Sequence, residues 1–455
     1  MFENLCDFKS KVKGKRINVV GLGVSNIPLV KMLTSFGAYV IGRDKNENIN
    51  LDLPIEYKLG ENYLSDLEGD YLFKSPGIRP DLPEFLEFIK KGGIVTSEME
   101  VFFDLCPCKI IAVTGSDGKT TTTTLISEML KDKGYNVYLG GNIGKPLLSE
   151  VEEMKKDDIA VVELSSFQLM TMKKSPSVAV ITNIAPNHLD VHKSFEEYIL
   201  AKENICKFQK TGDRLIVNYD NEITNKTGQN ANGEVLYFSL KGEYTKDAYY
   251  KDGAIYLNSD KLIDIKDIKI PGMHNVDNYM AAYLAVKDFI TVDNFINVCK
   301  NFGGVSHRIE FVKEENGVKY YNDSIASSPS RTMACLNAFY SEGKKIILIA
   351  GGKDKGLDYT ELGMEIAKKT KKVYLVGDLK DPVKNTAEAI KKAVLSYDEN
   401  FPVEILYNLK DTVKKVKEDA KSGDIVVLSP AGTSFDKYKN FEERGNLFKE
   451  CVKNG

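Results

Sequence analysis

Apolar residues along this chain fall into short blocks, each followed by a turn rich in glycine, proline, serine or asparagine and then by a longer stretch of helical periodicity. Lys15 to Val20 predicts a strand, Gly21 and Gly23 a turn, Ile27 to Phe36 a helix, and Ala38 to Ile41 a second strand ending near Asp44. Further on, YLFKSPGIRPDLP places Ser75 to Pro80 in a turn directly after a strand. The same grammar restarts near Ser97 with IIAVTGSDGKTTTTTL, NVYLGGNIG, IAVVELSSFQL and VAVITNIAPNHLDVH, then a helix from Phe195 to about Phe208 and strands at Arg214 to Val217 and Val235 to Phe238. AYYKDGAIYLN predicts a hairpin turning at Asp252-Gly253, and IPGMHNVDNYMAAYLAV a turn opening an amphipathic helix. FGGVSHRIEFV reads as a hinge, after which GVKYYNDSIASSPSRT, KKIILIAGGKDKGLD, KVYLVGD and DIVVLSPAGTSFD are four strand-to-turn units. Buried strands alternating with helices predict mostly parallel sheets covered on both faces, an α/β protein. At 455 residues the chain exceeds one ordinary core, and three domains are expected. We place them at residues 1–98 (Rossmann-like), 99–305 (a P-loop ATPase-like parallel sheet) and 306–455 (Rossmann-like again).

The chemistry centres on Gly115, Ser116, Asp117, Gly118, Lys119, Thr120 and Thr121. Strand, glycine-punctuated turn and helix start together aim backbone N–H groups and a helix dipole at one point; Lys119 adds a cation and Thr120 a hydroxyl suited to Mg²⁺. The spacing is G-x-x-G-K-T, with Val113 where the general phosphate loop has its first glycine. Glu163 ends the apolar run Ile159 to Val162, where P-loop proteins hold a carboxylate for the phosphate-bound metal. Of the four histidines, His188 and His192 share a strand-end loop, a context that suits one metal ligand better than two. The first glycine turn lacks its third glycine, with Asn26 in its place, so a UDP-type nucleotide fits that helix start better than NAD. Turns after parallel strands make Gly351 to Gly356 and Pro430 to Ser434 further candidates at one carboxyl edge.

Composition narrows the partners. Lysine plus arginine number 62 against 65 acidic residues, a net charge of −3, which excludes a general nucleic-acid or anionic-membrane surface. The N-terminus MFENLCDFKSKVKGKR lacks the apolar core of a signal peptide and no stretch approaches a membrane span, so a cytoplasmic protein is expected. Seven scattered cysteines form no paired framework, and the close spacing of Cys106 and Cys108 does not match a zinc knuckle.

Taken together, TGSDGKTT, GGNIG, ELSSFQL, NHLDVH, YILAKENI, GMHNVDN, SHRIE, NDSIASS and GGKDKG, in order and over the full length, resemble the Mur ligases. These are ATP-dependent enzymes that extend the peptide of peptidoglycan precursors. The C-terminal SPAGTSFDKYKNFEERG is similar to the D-glutamate-adding members. The resemblance implies ATP, UDP-N-acetylmuramoyl-L-alanine and D-glutamate as substrates, two Mg²⁺ ions, and an acyl phosphate followed by a tetrahedral intermediate. It implies Thr120 and Glu163 as ligands of one metal, His188 as a ligand of the other, and Lys202 carbamylated by CO₂ into an anion that organises the metal site. An ordinary lysine is almost wholly protonated at neutral pH, so that modification requires burial or nearby cations. The resemblance further implies Asn275, Asn278, Arg308 and Asp323 around the nucleotide as the third domain closes. Ser327, Lys355, Ser434, Phe435 and Phe441 would form the D-glutamate pocket, Asn142 and Ser165 would contact the muramoyl-alanine portion, and Ser25, Asp44, Ser75 and Gly77 would hold UDP. A monomer is expected.

Three positions depart from the family pattern: Asp117 where many relatives carry asparagine, Ile325 where some have lysine, and Ser327 for threonine. Asp117 is the one feature favouring a binding protein with a dead site. An alanine-adding or folate-glutamylating ligase would share the phosphate loop and both metal sites.

Overall fold

The computed structural model describes residues 1–188, 191–339, 345–354, 356–377 and 385–454. Two compact units emerge, Met1–Ile265 with Val276–Val298, and Lys266–Asn275 with Cys299–Gly455.

The first unit contains two sheets. In the smaller, β1 (Arg16–Val20), β2 (Tyr39–Asp44), β3 (Glu56–Leu59), β4 (Tyr71–Lys74) and β5 (Ile94–Thr96) run in the order β3-β2-β1-β4-β5 with every pairing parallel. Four of the five residues of β1 are buried, and the helix Asn26–Ser35 packs Leu29, Val30 and Leu33 toward the core. The carboxyl ends of β1, β2 and β4 therefore share one edge. There Gly21 N donates to Arg43 O (2.8 Å) and Ser75 N to Val20 O (2.8 Å). Asn26, in place of the third glycine, is buried and donates through Nδ2 to Gly21 O at 2.8 Å, closing the turn with a side chain.

The larger sheet comprises β6 (Lys109–Thr114), β7 (Val137–Gly141), β8 (Ile159–Glu163), β9 (Val178–Ile181), β10 (Arg214–Asn218), β11 (Glu234–Ser239), β12 (Ala248–Lys251), β13 (Ala254–Leu257) and β14 (Asp260–Asp264). The order is β14-β13-β12-β11-β10-β9-β6-β8-β7. It is parallel from β7 to β12 and ends in an antiparallel meander. Asp252 (φ 47°) and Gly253 (φ 80°) form the expected two-residue turn, both left-handed as a type I′ hairpin requires. One hydrophobic core runs from Ile17 and Val19 through Phe102, Leu147 and Leu148 to Val162 and Ile181. The two sheets share it.

The second unit holds β15 (Glu310–Glu315), β16 (Val318–Asn322), β17 (Ile346–Ala350), β18 (Thr370–Val376), β19 (Val403–Leu406) and β20 (Ile425–Leu428) in the order β15-β16-β20-β17-β18-β19. The strand β15 is antiparallel to β16 and the other pairings are parallel. Residues 266–275, expected with the central domain, belong to this unit: Lys269 N donates to Cys299 O (3.0 Å) and its ammonium lies 5.3 Å from the Phe311 ring centre. Among the described residues no helix is long and apolar enough to cross a membrane.

Candidate active site

The phosphate loop joins β6 to the helix Lys119–Lys133. Its two glycines are required by conformation and by space. Gly115 has φ 150° and a Cβ there would strike Thr182 Oγ1; Gly118 has φ 77° and a Cβ would strike Asn278 Oδ1. The first intrahelical bond is Thr122 N to Gly118 O, so by helix geometry the preceding amides point out of the helix end. Not all loop amides do: Ser116 N donates to Asn183 O (2.9 Å) and Asp117 N to Asn183 Oδ1 (3.0 Å). Thr182 Oγ1 donates to Asp117 O at 2.6 Å. These bonds brace the loop against the segment after β9. Asp117 is exposed, which leaves its charge to solvent screening.

Two lysines meet at this loop. Lys119 Nζ donates to Gly115 O (2.9 Å) and Ser116 O (3.0 Å), while Lys202 Nζ donates to the same Gly115 O (2.7 Å) and to Thr114 Oγ1 (3.3 Å). Lys202 is 1% exposed. Burial, reinforced by the Lys119 charge, pushes its pKa down to about 6. The sequence alone makes Lys202 an ordinary surface lysine; its position on the helix Phe195–Lys207, facing Thr114 and Gly115, makes it a buried amine.

Glu163 closes β8 beside β6, with Val113 as its register partner. It is 1% exposed. Asn142 Nδ2 donates to its Oε1 at 2.7 Å, and its Oε2 is buried with no hydrogen-bond partner. A buried carboxylate oxygen without a donor suits a cation. Asn142, expected at the substrate, thus also orients this carboxylate. Thr120 stands half-buried in the first turn of the loop helix. Among the described residues no group of three or more His, Cys, Asp and Glu side chains is placed to hold a metal ion.

His188 is exposed, with φ 54°, and its ring centre lies 5.2 Å from Phe167 and 6.5 Å from Tyr198. Lys202 Nζ lies 4.8 Å from the centre of that same Tyr198 ring. His192 is the packing member of the pair: it is buried, stacks on Phe167 and meets Ser166 Oγ at 2.9 Å through Nε2. Tyr198 and Asn183 escaped sequence reasoning. The hydroxyl of Tyr198 meets Ser116 Oγ at 2.9 Å, and Ser116 Oγ donates to Ala185 O (2.9 Å). Their only signal was membership of the quoted motif or of the strand-end segment.

The remaining residues fall as follows. Asn278 lies beside the loop, its Oδ1 accepting from Thr122 Oγ1 at 3.1 Å. Ser165 caps a four-residue helix in a capping box with Gln168, so its hydroxyl already has local partners. At the smaller sheet's edge, Asp44 accepts from Leu22 N (2.7 Å) and Asn46 N (2.8 Å). Ser25 stands at the helix start without a side-chain cap bond, and Ser75 and the exposed Gly77 lie in the turn after β4.

Within the second unit, Asp323 is buried, accepts from Ser429 Oγ (2.8 Å) and Ile309 N (3.3 Å), and has its pKa pushed up to about 6 by burial. Arg308 is half-buried near it and Asn275 Nδ2 donates to Pro271 O at 2.5 Å. Ser327 is half-buried, Ser434 buried and Phe435 66% exposed; the Phe441 ring packs 5.9 Å from His307. Lys355 lies outside the described residues. The sequence reading missed Arg444, which is buried and donates to Ser324 O (2.8 Å), Ser324 Oγ (3.1 Å) and Gly432 O (3.1 Å), joining the turn after β16 to the turn after β20.

A phosphate loop, a buried carboxylate and a buried amine at one sheet edge define a nucleotide-using enzyme, and comparison with known proteins names the class. Residues 113–286 match the Mur ligase middle domain and residues 307–432 the Mur ligase glutamate ligase domain. The chain belongs to the Mur ligase family. It is 49% identical to the UDP-N-acetylmuramoylalanine--D-glutamate ligase of Ruminiclostridium cellulolyticum, with 100% of each chain covered. It is 50% identical to the protein of the same name from Acetivibrio thermocellus, with 99% of each covered. Among solved structures, the UDP-N-acetylmuramate-alanine ligase MurC of Thermotoga maritima aligns with a TM-score of 0.60 at 19% identity, covering 97% of this chain and 99% of that one, a likeness of fold.

Proposed function

We infer that this chain is an ATP-dependent amide ligase joining D-glutamate to UDP-N-acetylmuramoyl-L-alanine in peptidoglycan precursor synthesis. The observation that carries the reading is the buried Lys202 amine sharing Gly115 O with Lys119, close to the carboxylate of Glu163 that lacks a donor on Oε2. A carboxylate does not react with an amine unaided. Transfer of the ATP γ-phosphoryl group to the alanine carboxylate turns a poor leaving group into phosphate; the D-glutamate amine then adds to the carbonyl carbon, and the tetrahedral intermediate expels phosphate.

Lys119 serves the charge on the transferring phosphoryl oxygens. Thr120 and Glu163 would hold one Mg²⁺, and His188 with carbamylated Lys202 the other; when bound, these ions neutralise phosphate and carboxylate charge. The neutral Lys202 amine adds to CO₂, forming one N–C bond and releasing one proton to solvent. Asn142 fixes the carboxylate of Glu163, and Tyr198 with Ser116 holds the loop against the helix that carries Lys202. Asn275, Asn278, Arg308 and Asp323 are assigned to the nucleotide, and Ser327, Lys355, Ser434, Phe435 and Phe441 to D-glutamate. Asn142 and Ser165 are assigned to the muramoyl-alanine portion, and Ser25, Asp44, Ser75 and Gly77 to UDP. The enzyme works as a cytoplasmic monomer.

Phosphate release measured with every combination of ATP, UDP-N-acetylmuramoyl-L-alanine and D- or L-glutamate tests this. Release is expected only when ATP, the UDP substrate and D-glutamate are all present. Turnover with L- but not D-glutamate, or with UDP-N-acetylmuramate and alanine instead, would overturn the assignment.

A further inference from the structure

The turn that follows β4 does not end at the UDP edge. Two residues past Gly77, Arg79 reaches out of the smaller sheet's domain and makes a set of bonds to the segment that follows His188. Its Nη1 donates to Val191 O (2.8 Å) and Glu197 Oε2 (3.1 Å), its Nη2 to Glu197 Oε1 (2.8 Å) and Asp81 Oδ2 (3.0 Å), and its Nε to Asp81 Oδ1 (2.8 Å). All five N–H groups of the fork therefore have a named acceptor, and two of the acceptors are bidentate carboxylates. Lys193 pairs with Asp81 from the other side. Arg79 is largely covered, with 19% of its side chain exposed, so this is not a pair waving in solvent.

The far end of the clamp is the reaction edge. Glu197 sits in the first turn of the helix that carries Tyr198 and Lys202, and its Oε2 also accepts from Lys193 N at 2.7 Å. Val191 N and His192 N both donate to His188 O, at 3.1 and 3.0 Å. The carbonyl held by Arg79 thus shares its peptide group with the His192 amide that bonds His188 O, and His188 is a residue whose backbone is left-handed without being glycine. The near end is the UDP edge: Ile78, the residue before Arg79, bonds through N to Ser75 O at 3.1 Å and packs beside Gly21.

We propose that Arg79 is a positioning residue that couples the UDP-binding turn to the His188 loop and the Lys202 helix, so that filling the first orders the second. Arg79 touches no reacting atom in this scheme; it fixes where His188 points and in which register the helix starts. This rests on the proposed function, because the UDP substrate supplies the signal.

The test combines kinetics with amide hydrogen exchange of the full chain, with and without UDP-N-acetylmuramoyl-L-alanine. In the unaltered protein the substrate should slow exchange over residues 191–197. Arg79→Ala should lower kcat about tenfold and leave the KM for the UDP substrate within about threefold. It should also abolish the slowing. Arg79→Lys, keeping a cation but not the fork, should recover part of both, and Glu197→Gln should reproduce the exchange defect should the alanine variant fold poorly. Variants that only melt earlier, with kcat per folded molecule and the exchange response intact, would overturn the coupling. No binding of the UDP substrate to the unaltered protein would overturn the functional reading and this inference with it, and the two failures are told apart by the unaltered protein alone.

Discussion

The proposed carbamylation of Lys202 leads to the most quantitative prediction. The reaction consumes the neutral amine, and a lysine with the ordinary pKa of ~10.4 is neutral to only roughly 0.4% at pH 8. With its pKa pushed down to about 6, first by burial and then by Lys119, the amine of Lys202 is almost wholly neutral at that pH. The reactive fraction rises by roughly two hundredfold. The pH profile follows. The initial rate of CO₂ addition to an ordinary lysine climbs about tenfold per pH unit up to pH ~10, whereas the rate at Lys202 should be nearly flat from pH 7 to 9 at a fixed concentration of dissolved CO₂. The perturbation is removal of CO₂ by degassing, then its return as ¹³C-labelled CO₂. The assays are the initial rate at which the carbamate ¹³C signal grows in and phosphate release, recorded together. Lys202→Ala should lose the signal and about 10²-fold or more of turnover, the scale of a lost preorganised charge, with partial rescue by short carboxylic acids. A tenfold-per-unit rise in the initial rate of CO₂ addition to pH 9, or full activity in the absence of CO₂ with an unmodified lysine, would refute the reasoning.

Other expectations are more direct. Lys119→Ala should lower turnover by on the order of 10²-fold in phosphate release, with little change in the affinity for the UDP substrate. Gly115→Ala forces a Cβ into Thr182 Oγ1 at φ 150° and should destabilise the fold by about 1–3 kcal/mol while abolishing nucleotide binding, read by thermal melts and by titration with an ATP analogue. Glu98 is fully buried with its pKa raised by burial from 4.5 to about 7, despite accepting from Leu148 N. Its folded pKa lies above its unfolded one, so its contribution is complete below pH ~4.5 and is lost as pH rises through about 7. Glu98→Gln should therefore leave the melting temperature unchanged near pH 4 and raise stability at pH 8, by at most about 3 kcal/mol. Equal effects at both pH values would mean that Glu98 is not held neutral.

What could be read from the chain is what lies close together in it. The phosphate loop, the strand-end Glu163 and the Asp252-Gly253 hairpin are local patterns whose geometry follows from glycine conformations and strand periodicity, and each stands where the pattern puts it. The strands β15 and β19 were missed because EFVKEE has four charged residues in six and VEIL is only half-buried, both lying at sheet edges where no apolar run is demanded. Asn26 was legible as a missing glycine but not as its substitute, since the bond to Gly21 O depends on the turn already being formed. The clamp of Arg79 spans 118 residues to Glu197, and nothing in either neighbourhood announces the other.

The same reasoning explains why Lys202 needed coordinates. A lysine on a helix is neutral or charged according to what surrounds it, and its surroundings here are Thr114 and Gly115, 88 and 87 residues earlier. Two protonated lysines donating to one carbonyl oxygen would repel, the more so as one of them, Lys202, is buried. Burial and the Lys119 charge push the Lys202 pKa down to about 6, which favours the neutral amine and relieves the conflict. Carbamylation goes one step further by reversing the sign: the N–H left on the modified nitrogen can still serve Gly115 O, while the new carboxylate attracts the very Lys119 charge that disfavoured the ammonium. On the proposed assignment Lys119 would thereby be part of the site that makes Lys202 reactive, as well as the cation for the phosphoryl group. Lys119→Ala should then carry a second signature absent from a simple phosphate contact, an upward shift in the pH at which Lys202 takes up CO₂.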